Sequence, residues 1–581
     1  MRTPLKSWLP VKDWGIKLPA ALLAGVVAVG FFLYFNNRLI RHQAAPFLTF
    51  NELKKFSQNP HPGYLLEKKL QRFWRTPLIS NEAHYAGTKP SAQTDPQLGP
   101  YLSLATWNIE KSIHMKDAIT AFSSPEAFLA LIDPEKAPEG SDNYKTVLRQ
   151  RDLLQKSDVI LLQEMDIGVK RSGYINAAGE LAKVLKMNYA YAPEQLEVDP
   201  VYMGLEKIHY DNGSVDQEQT DYFAADPAQY KGAFGVAVLS RYPIRRAQAF
   251  QLKTQPYDWY KGEKPKIGFV EQARRVGTEV LFHNQITREM KMGGRAFFRV
   301  DLAVPGLPED TLTIINIHLE IKCLPEGRKA QVAEILSYIK GIKHPVIMAG
   351  DFNSAQEDLS PTSALRVAER AIKKPENWAS AAVAVLIPQA LIINATRLIG
   401  KFTKNYQDPL ALDIPVIAPN TLKPLFNMIE DYRFEDGGAF DFRGDAERST
   451  GAKEGPLANA NQRGIKGFKT TWSVERPVLL LGKYRLDWIF VKSFLKDPYE
   501  KTGAYRFAPH FGETLEEMNT SLKIKISDHH PNVVAIPFGE PHIKTVQGTD
   551  SMNASLEVPV TGVHPIQAIQ GTDSKGAGSP Q

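Results

Sequence analysis

The chain reads as an α/β fold of two packed, mostly antiparallel sheets with helices outside them, and three observations carry that reading. Strand-like runs recur through its middle, helical stretches such as "GRKAQVAEILSYIKGI" fall between some of them, and hairpins are evident. The clearest hairpin has "GGRAFFRVDLAV" and "TLTIINIHLE" flanking the turn "PGLPED". With 581 residues, 43% hydrophobic and 23% charged, the chain has material for a large core.

Taken in order, the first element is "LPAALLAGVVAVGFFLYF", Leu18 to Phe35. It is uncharged and long enough to cross a hydrocarbon core of about 30 Å at about 1.5 Å per residue. Arg2, Lys6, Lys12 and Lys17 precede it against a lone Asp13, which favours a cytoplasmic N-terminus over residues 1–17. A cleaved signal peptide has a shorter apolar core and small residues before its cut, whereas "RHQAAPF" puts bulky polar ones there. The expectation is a single-pass transmembrane anchor at 18–35, with the rest of the chain on the extracytoplasmic (periplasmic) side. Residues 36–100 read as a connector. Within it "YLLEKKLQRFW" has apolar residues at helical spacing, a helix packed on the main domain or lying on a membrane surface.

One domain is expected over 101–538. Its runs end in polar residues: "YLSLATWNIE" reaches Asn108, "SDVILLQEMD" reaches Glu164, and "TLTIINIHLE" reaches His318. "HPVIMAGDFNSAQ" sets Asp351 and Asn353 two apart after a buried strand. "YRLDWIFV" carries Asp487 inside an apolar strand, and "KIKISDHHPNVVAI" places Asp528 and His529 between two more. A large insertion occupies about 360–470. In it, Trp378 to Phe402 is apolar, but one more crossing would put Asp351 and Asp487 on opposite sides of a membrane. That stretch is expected to pack or to dock at a surface, and the glycine-rich Phe434 to Gly455 reads as loop. Residues 539–581 lose periodicity, repeat "QGTDS" twice, and read as a disordered tail.

Composition narrows the chemistry. The net charge of +6 is mildly basic and supplies no clear stripe of lysine and arginine along which nucleic acid would track. Cys323 is the single cysteine, so it has no disulfide partner within the chain, and a Cys-based zinc site is excluded. Each polar strand-end residue alone has a plain explanation as a turn, a cap or a satisfied core group. Asp487 is harder to set aside, because a buried carboxylate needs a partner. Together, oxygen-rich ends with no serine or cysteine nucleophile suit Mg²⁺ or Mn²⁺, and an adjacent Asp-His pair can handle protons. That points to metal-assisted hydrolysis, with phosphate esters as its usual substrates.

"TWNIE", "LLQEMD", "GVAVLSRYPI", "NIHLE", "AGDFNS", "RLDWIFV" and "SDHHPNV" stand in the order seen in the endonuclease/exonuclease/phosphatase superfamily, and the chain resembles that group across its main domain. The resemblance implies a four-layer α/β sandwich with the site at one edge. It implies Glu164 as principal metal ligand with Asn108 beside it, and Asp528 completing the metal shell. Asp351 would orient or deprotonate the attacking water and Asn353 hydrogen-bond the phosphate or the water. His318 would donate to a phosphoryl oxygen, and His529 would transfer a proton with Asp487 holding its ring. Lys170 and Arg171 are expected to hold a second phosphate or a headgroup, against the plainer reading of a solvated loop. The inositol phosphatases carry a Trp-Cys-Asp-Arg type motif where this chain has "YRLDWIF", which turns the reading away from them. The expected function is a Mg²⁺-dependent (or Mn²⁺-dependent) phosphodiesterase acting on a phospholipid headgroup or related phosphodiester. The alternatives are an extracytoplasmic nuclease, and a non-catalytic membrane-tethered binding module on the same scaffold.

Overall fold

The computed structural model describes residues 39–91, 93–96, 98–207, 214–263, 289–354, 422–441, 460–461, 470–478, 481–492 and 510–538. The expected anchor at 18–35, the apolar stretch at 378–402 and the tail at 539–581 lie outside the described residues. Residue contacts divide the chain into units 1–542 and 543–581, and all described residues fall in the first. Among them no helix is long and apolar enough to cross a membrane.

The N-terminal strands are β1 (His42–Gln43), β2 (Leu78–Ser80), β3 (Gln93–Asp95), β4 (Gly99–Asn108), β5 (Val159–Ile167), β6 (Asn188–Glu197), β7 (Ala233–Ser240), β8 (Ile244–Gln251) and β9 (Lys291–Gly293). Then come β10 (Ala296–Ala303), β11 (Thr311–His318), β12 (Val346–Asp351), β13 (Phe440–Asp441), β14 (Trp472–Val478), β15 (Leu481–Tyr484), β16 (Asp487–Lys492), β17 (His510–Thr514) and β18 (Asn532–Pro537). The first sheet runs β1-β2-β6-β7-β5-β4-β18-β17, with β3 beside β4 and β9 beside β6. The second runs β13-β16-β12-β11-β10-β8. Each holds one parallel pair, β4–β5 in the first and β11–β12 in the second; their other pairs are antiparallel.

Alternation along the strands sorts the side chains into layers. Leu102, Leu104, Val159, Leu161, Val236 and Val238 of the first sheet share one core with Val300, Leu312, Ile314, Ile347, Ile489 and Val491 of the second. The alternate residues of the same strands point outward. Trp107, Ile160 and Leu162 pack under helices Met115–Ser123, Asp142–Gln155 and Ala177–Leu185. Ile315, Ile317, Met348 and Phe490 pack under helices Pro325–Ile339 and Lys423–Asp431. Capping fixes where two of these helices begin: Ser141 accepts from the Tyr144 N–H and Asn176 from the Gly179 N–H. Helix, sheet, sheet and helix make four layers, as the resemblance implied.

Two readings are corrected here. Residues 39–91 are part of the domain rather than a connector. Helix Phe50–Gln58 buries Leu53 and Phe56, and helix Tyr64–Arg75 buries Leu70, Phe73 and Trp74. β1 and β2 then extend the first sheet beyond β6. The start of the glycine-rich stretch after Phe434 is also packed: Phe434 and Phe440 are buried and β13 pairs with β16. In both places, burial of aromatic side chains outweighs the polar and glycine-rich composition around them.

Candidate active site

The same alternation that builds the inner core delivers polar groups to one edge of it. Asn108, His318, Asp351 and Asp487 each share the parity of the inward-facing residues on their strands and stand where those strands end or begin. In the second sheet they are in register: His318 pairs with Asp351 across the parallel ladder, and Asp351 with Asp487 across the antiparallel one. Three neighbouring strands thus set three functional side chains side by side. Below them Gln163 Nε2 donates to Asn316 Oδ1 at 2.7 Å, and Asn316 Nδ2 donates back to the Leu162 and Ala237 carbonyls at 3.0 and 2.8 Å. This polar bridge joins the two sheets between the apolar core and the site.

Glu164 would point away from the site on strict alternation, since Gln163 points in. A register shift between Leu162 and Met165, with Glu164 at φ +60°, turns its carboxylate back. Glu164 Oε2 accepts the Lys111 N–H at 3.0 Å, and Oε1 lies 3.6 Å from His318 Nε2. Burial raises its pKa, but His318, Lys111, His529 and Arg295 outweigh that and hold it below the usual carboxylate range. Glu110, Lys111 and Ser112 all take positive φ, and the turn is tied down where Asn108 Oδ1 accepts from the Glu110 N–H and Ser112 Oγ donates to the Glu164 carbonyl.

Asp351 is buried and held on both oxygens. Oδ1 accepts the Asn353 N–H at 2.7 Å, while Oδ2 accepts Asn108 Nδ2 at 3.0 Å and Asn353 Nδ2 at 3.2 Å. Burial lifts its pKa to about 6, with Asp487 adding to the rise and His529 opposing it. His529 Nδ1 donates to Asp487 Oδ2 at 2.9 Å, leaving Nε2 3.9 Å from Asp351 Oδ2. Burial disfavours a charged His529, yet Asp487, Asp528 and Asp351 raise its pKa to about 10. His530 turns the other way, toward Asn519.

Asp528 Oδ2 accepts Trp472 Nε1 at 2.8 Å, and its N–H donates to Glu110 Oε2 at 2.9 Å. Glu110 is pushed up to about 8 by burial, then by Asp528 and Glu164. The structure therefore gathers Asn108, Glu164, His318, Asp351, Asn353, Asp487, Asp528 and His529 at one edge. Arg171 is the exception, and it corrects the substrate-binding reading. Its guanidinium is spent on two buried carboxylates, Nη2 to Asp166 at 2.8 Å and Nη1 to Glu197 at 2.9 Å, while Nε reaches the Lys111 carbonyl at 3.3 Å. A cation anchored this way props the Lys111 turn instead of reaching toward a substrate.

Three neighbours of the site escaped sequence reasoning. His318 Nδ1 lies 2.8 Å from Glu194 Oε2 and 2.6 Å from Arg295 Nη1, and Glu110 adds a third carboxylate beside Glu164 and Asp528. A glutamate in the buried run "YAPEQLE" was the available signal for Glu194.

The donor set fits a hard divalent cation. The carboxylates of Glu110, Glu164 and Asp528 press on one another, and Asn353 Oδ1 and Asp487 Oδ1 are buried without a hydrogen-bond partner. Among the described residues no three His, Cys, Asp or Glu side chains close on one point. Mg²⁺ needs no such cage, since it keeps several waters and takes one or two carboxylates. Glu164, Asn108 and Asp528 would hold it.

Residues 105–529 match the model of the endonuclease/exonuclease/phosphatase family. No curated protein matches the chain. Among solved structures, an endonuclease/exonuclease/phosphatase from Beutenbergia cavernae is 14% identical, with 76% of this chain and 72% of that one covered at a TM-score of 0.33. An AP endonuclease from Archaeoglobus fulgidus is 11% identical, with 75% and 99% covered at 0.32. A 3′ phosphatase from Neisseria, bound to a product DNA hairpin, is 12% identical, with 75% and 99% covered at 0.31. At such values the likeness carries neither substrate nor residue roles across.

Proposed function

This chain belongs to the endonuclease/exonuclease/phosphatase family, and on that footing we propose that it is a Mg²⁺-dependent phosphodiesterase, anchored in a membrane through residues 18–35 with its site on the extracytoplasmic side. The observation that supports it best is the row His318, Asp351 and Asp487 on adjacent strands, with His529 held by Asp487 and Glu164 facing His318. A divalent cation held by Glu164, Asn108 and Asp528 would stabilise charge developing on a phosphoryl oxygen. The chain's own groups do the rest. Asp351, fixed by Asn108 and Asn353, orients a water and accepts its proton. Asn353 contacts the phosphate or that water. His318, its Nδ1 beside Glu194 and its Nε2 3.0 Å from Arg295 Nη1, would meet a phosphoryl oxygen together with that guanidinium. His529 passes a proton near the scissile bond, its ring orientation set by Asp487.

A phospholipid headgroup is the phosphodiester that the anchor favours, and the modest net charge of +6 argues against nucleic acid. The test is hydrolysis by the purified full chain of bis-p-nitrophenyl phosphate, a choline phospholipid, sphingomyelin and plasmid DNA, each with Mg²⁺ and with chelator. Chelator-sensitive cleavage is expected. Silence on all four by a folded, metal-supplied protein would overturn the reading in favour of a tethered binding module.

A further inference from the structure

Among the described residues, five large apolar side chains are more than half exposed: Leu65 at 81%, Tyr64 at 75%, Tyr222 at 72%, Leu324 at 62% and Ile524 at 54%. All five sit on segments attached at the site end of the sandwich. Leu324 follows His318, the last residue of β11, by six positions, and Ile524 precedes Asp528 by four. Tyr222 lies on helix Gln217–Phe223, held where Lys170 Nζ donates to the Asp221 carbonyl at 3.0 Å, three residues beyond the end of β5. Helix Tyr64–Arg75 reaches the same end through its partner, helix Phe50–Gln58. There the Ser57 carbonyl accepts the Tyr260 hydroxyl at 3.1 Å, and the adjoining Trp259 Nε1 donates to Glu320 Oε2 at 2.9 Å, two residues beyond His318. Phe47 meets Phe73 and Glu52 meets Lys69, so the two helices are antiparallel, and Tyr64 and Leu65 stand at the Ser57 end.

Scattered singly, such residues need no explanation; gathered at one end, they mark a contact surface. Their neighbours say with what. Along helix Tyr64–Arg75 the exposed stripe continues as Lys68, Arg72 and Arg75, three or four residues apart, while Leu70, Phe73 and Trp74 face the domain. Lys68 Nζ lies 6.0 Å from the Tyr64 ring centroid, and Ile524 is flanked by Lys523 and Lys525. Lys69 is spent on Glu52, and the one carboxylate within these two segments, Glu67, lies 3.7 Å from His61. Apolar tips backed by lysine and arginine suit an anionic bilayer, the tips entering the acyl boundary and the cations meeting lipid phosphates. Nucleic acid would use the cations but not Leu65, Leu324 and Ile524, which neither stack on bases nor hydrogen-bond to a backbone.

Resting on the headgroup reading and deepening it, we infer that the site end of the sandwich is a docking surface for an anionic phospholipid bilayer, led by the two tips with flanking cations, Tyr64–Leu65 and Ile524. Site and tips then share one face, and the phosphodiester is taken from the membrane without leaving it.

The experiment reconstitutes the full chain into phosphatidylcholine–phosphatidylglycerol vesicles that carry headgroup-spin-labelled lipid. An environment-sensitive fluorophore is placed on Leu65→Cys, Ile524→Cys or Tyr85→Cys; Cys323 is buried. Tyr85 marks the opposite end, since the neighbouring His84 N–H donates to Asn188, the first residue of β6. Loss of most of the fluorescence at 65 and 524 is expected, with little loss at 85 and recovery when phosphatidylcholine replaces the phosphatidylglycerol. Little quenching at 65 and 524, equal quenching at 85, no effect of the anionic lipid, or a chain that the vesicles do not retain overturns the inference. In a companion assay the Leu65→Ser, Ile524→Ser double variant should lose at least about tenfold in hydrolysis of vesicle lipid and none on bis-p-nitrophenyl phosphate. Equal losses on the two substrates also overturn the docking surface. Silence of the parent on both substrates would instead overturn the phosphodiesterase reading, and the quenching would still decide whether this face meets the bilayer.

Discussion

Asp487 grips His529 through one carboxylate oxygen, and that contact decides which ring nitrogen faces Asp351. Replacing His529 with Ala removes the proton-transfer group, and kcat is expected to fall by about 10²–10⁴. Glu164→Ala and Asp351→Ala should abolish hydrolysis. Asp487→Asn keeps the ring in place but weakens its hold, so kcat should drop at least about tenfold with KM little changed. Each variant's circular dichroism and denaturation midpoint check that the fold survives, and retained activity in the His529 variant would sink the mechanism. Most of these groups are legible in the sequence, because each terminates an apolar run and the alternation rule says which way it points. Arg171 misleads because sequence shows a cation near Glu164 but not the Asp166 and Glu197 carboxylates that consume it. Glu194 is hidden for the converse reason: it lies inside a strand with no motif of its own, and only the packing of one sheet on the other brings it to His318.

At the scale of the elements, the close contact of β11 with β12 sets Asp351 beside His318. Gly350 allows it: its φ is +137°, and a Cβ there would stand 2.1 Å from the Ile317 carbonyl oxygen. Gly350→Ala should cost about 2–4 kcal/mol and move the strand that carries Asp351, so chemical denaturation and kcat should fall together. Asn316 is the complementary case, since it holds the two sheets together beneath the site. Asn316→Leu leaves the Gln163 amide only Thr106 Oγ1, at 3.2 Å, and takes the Asn316 donor from the Leu162 and Ala237 carbonyls, at an expected cost of about 1–3 kcal/mol. A loss under about 0.5 kcal/mol would mean that the sheets hold without the bridge. "HPVIMAGDFNS" announces Gly350 as a break after a strand, whereas Asn316 inside "TIINIH" passes for a tolerated polar residue. The bulge at Glu164 is likewise invisible in sequence, because "LLQEMD" gives no glycine to mark it.

Across the whole molecule, the two sheets are legible because alternating runs and one hairpin turn specify antiparallel pairing; the contribution of residues 39–91 is not, since its strands are two and three residues long. What composition conceals most is charge inside the fold. Lys111 and Lys291 both pair with Glu289, and Lys291, 3% exposed, also lies 4.7 Å from the Trp259 ring centroid. Burial alone would raise the Glu289 pKa, but the two lysines overcome it and hold the carboxyl well below its ordinary 4.5. A carboxyl depressed on folding stabilises the protein above its unfolded pKa, and that stabilisation fades as pH falls through the folded value. Glu289→Gln leaves Lys291 buried without its carboxylate, so it should unfold more easily than the parent at pH 7, by about 3 kcal/mol as for a broken buried pair. The difference should persist down to about pH 4.5 and shrink only below it, as the parent's own carboxyl takes up a proton. Denaturant titrations of both proteins at pH 7, 5 and 3 read this directly: a difference that stays constant through pH 3 would show that Glu289 acts by packing and not by charge.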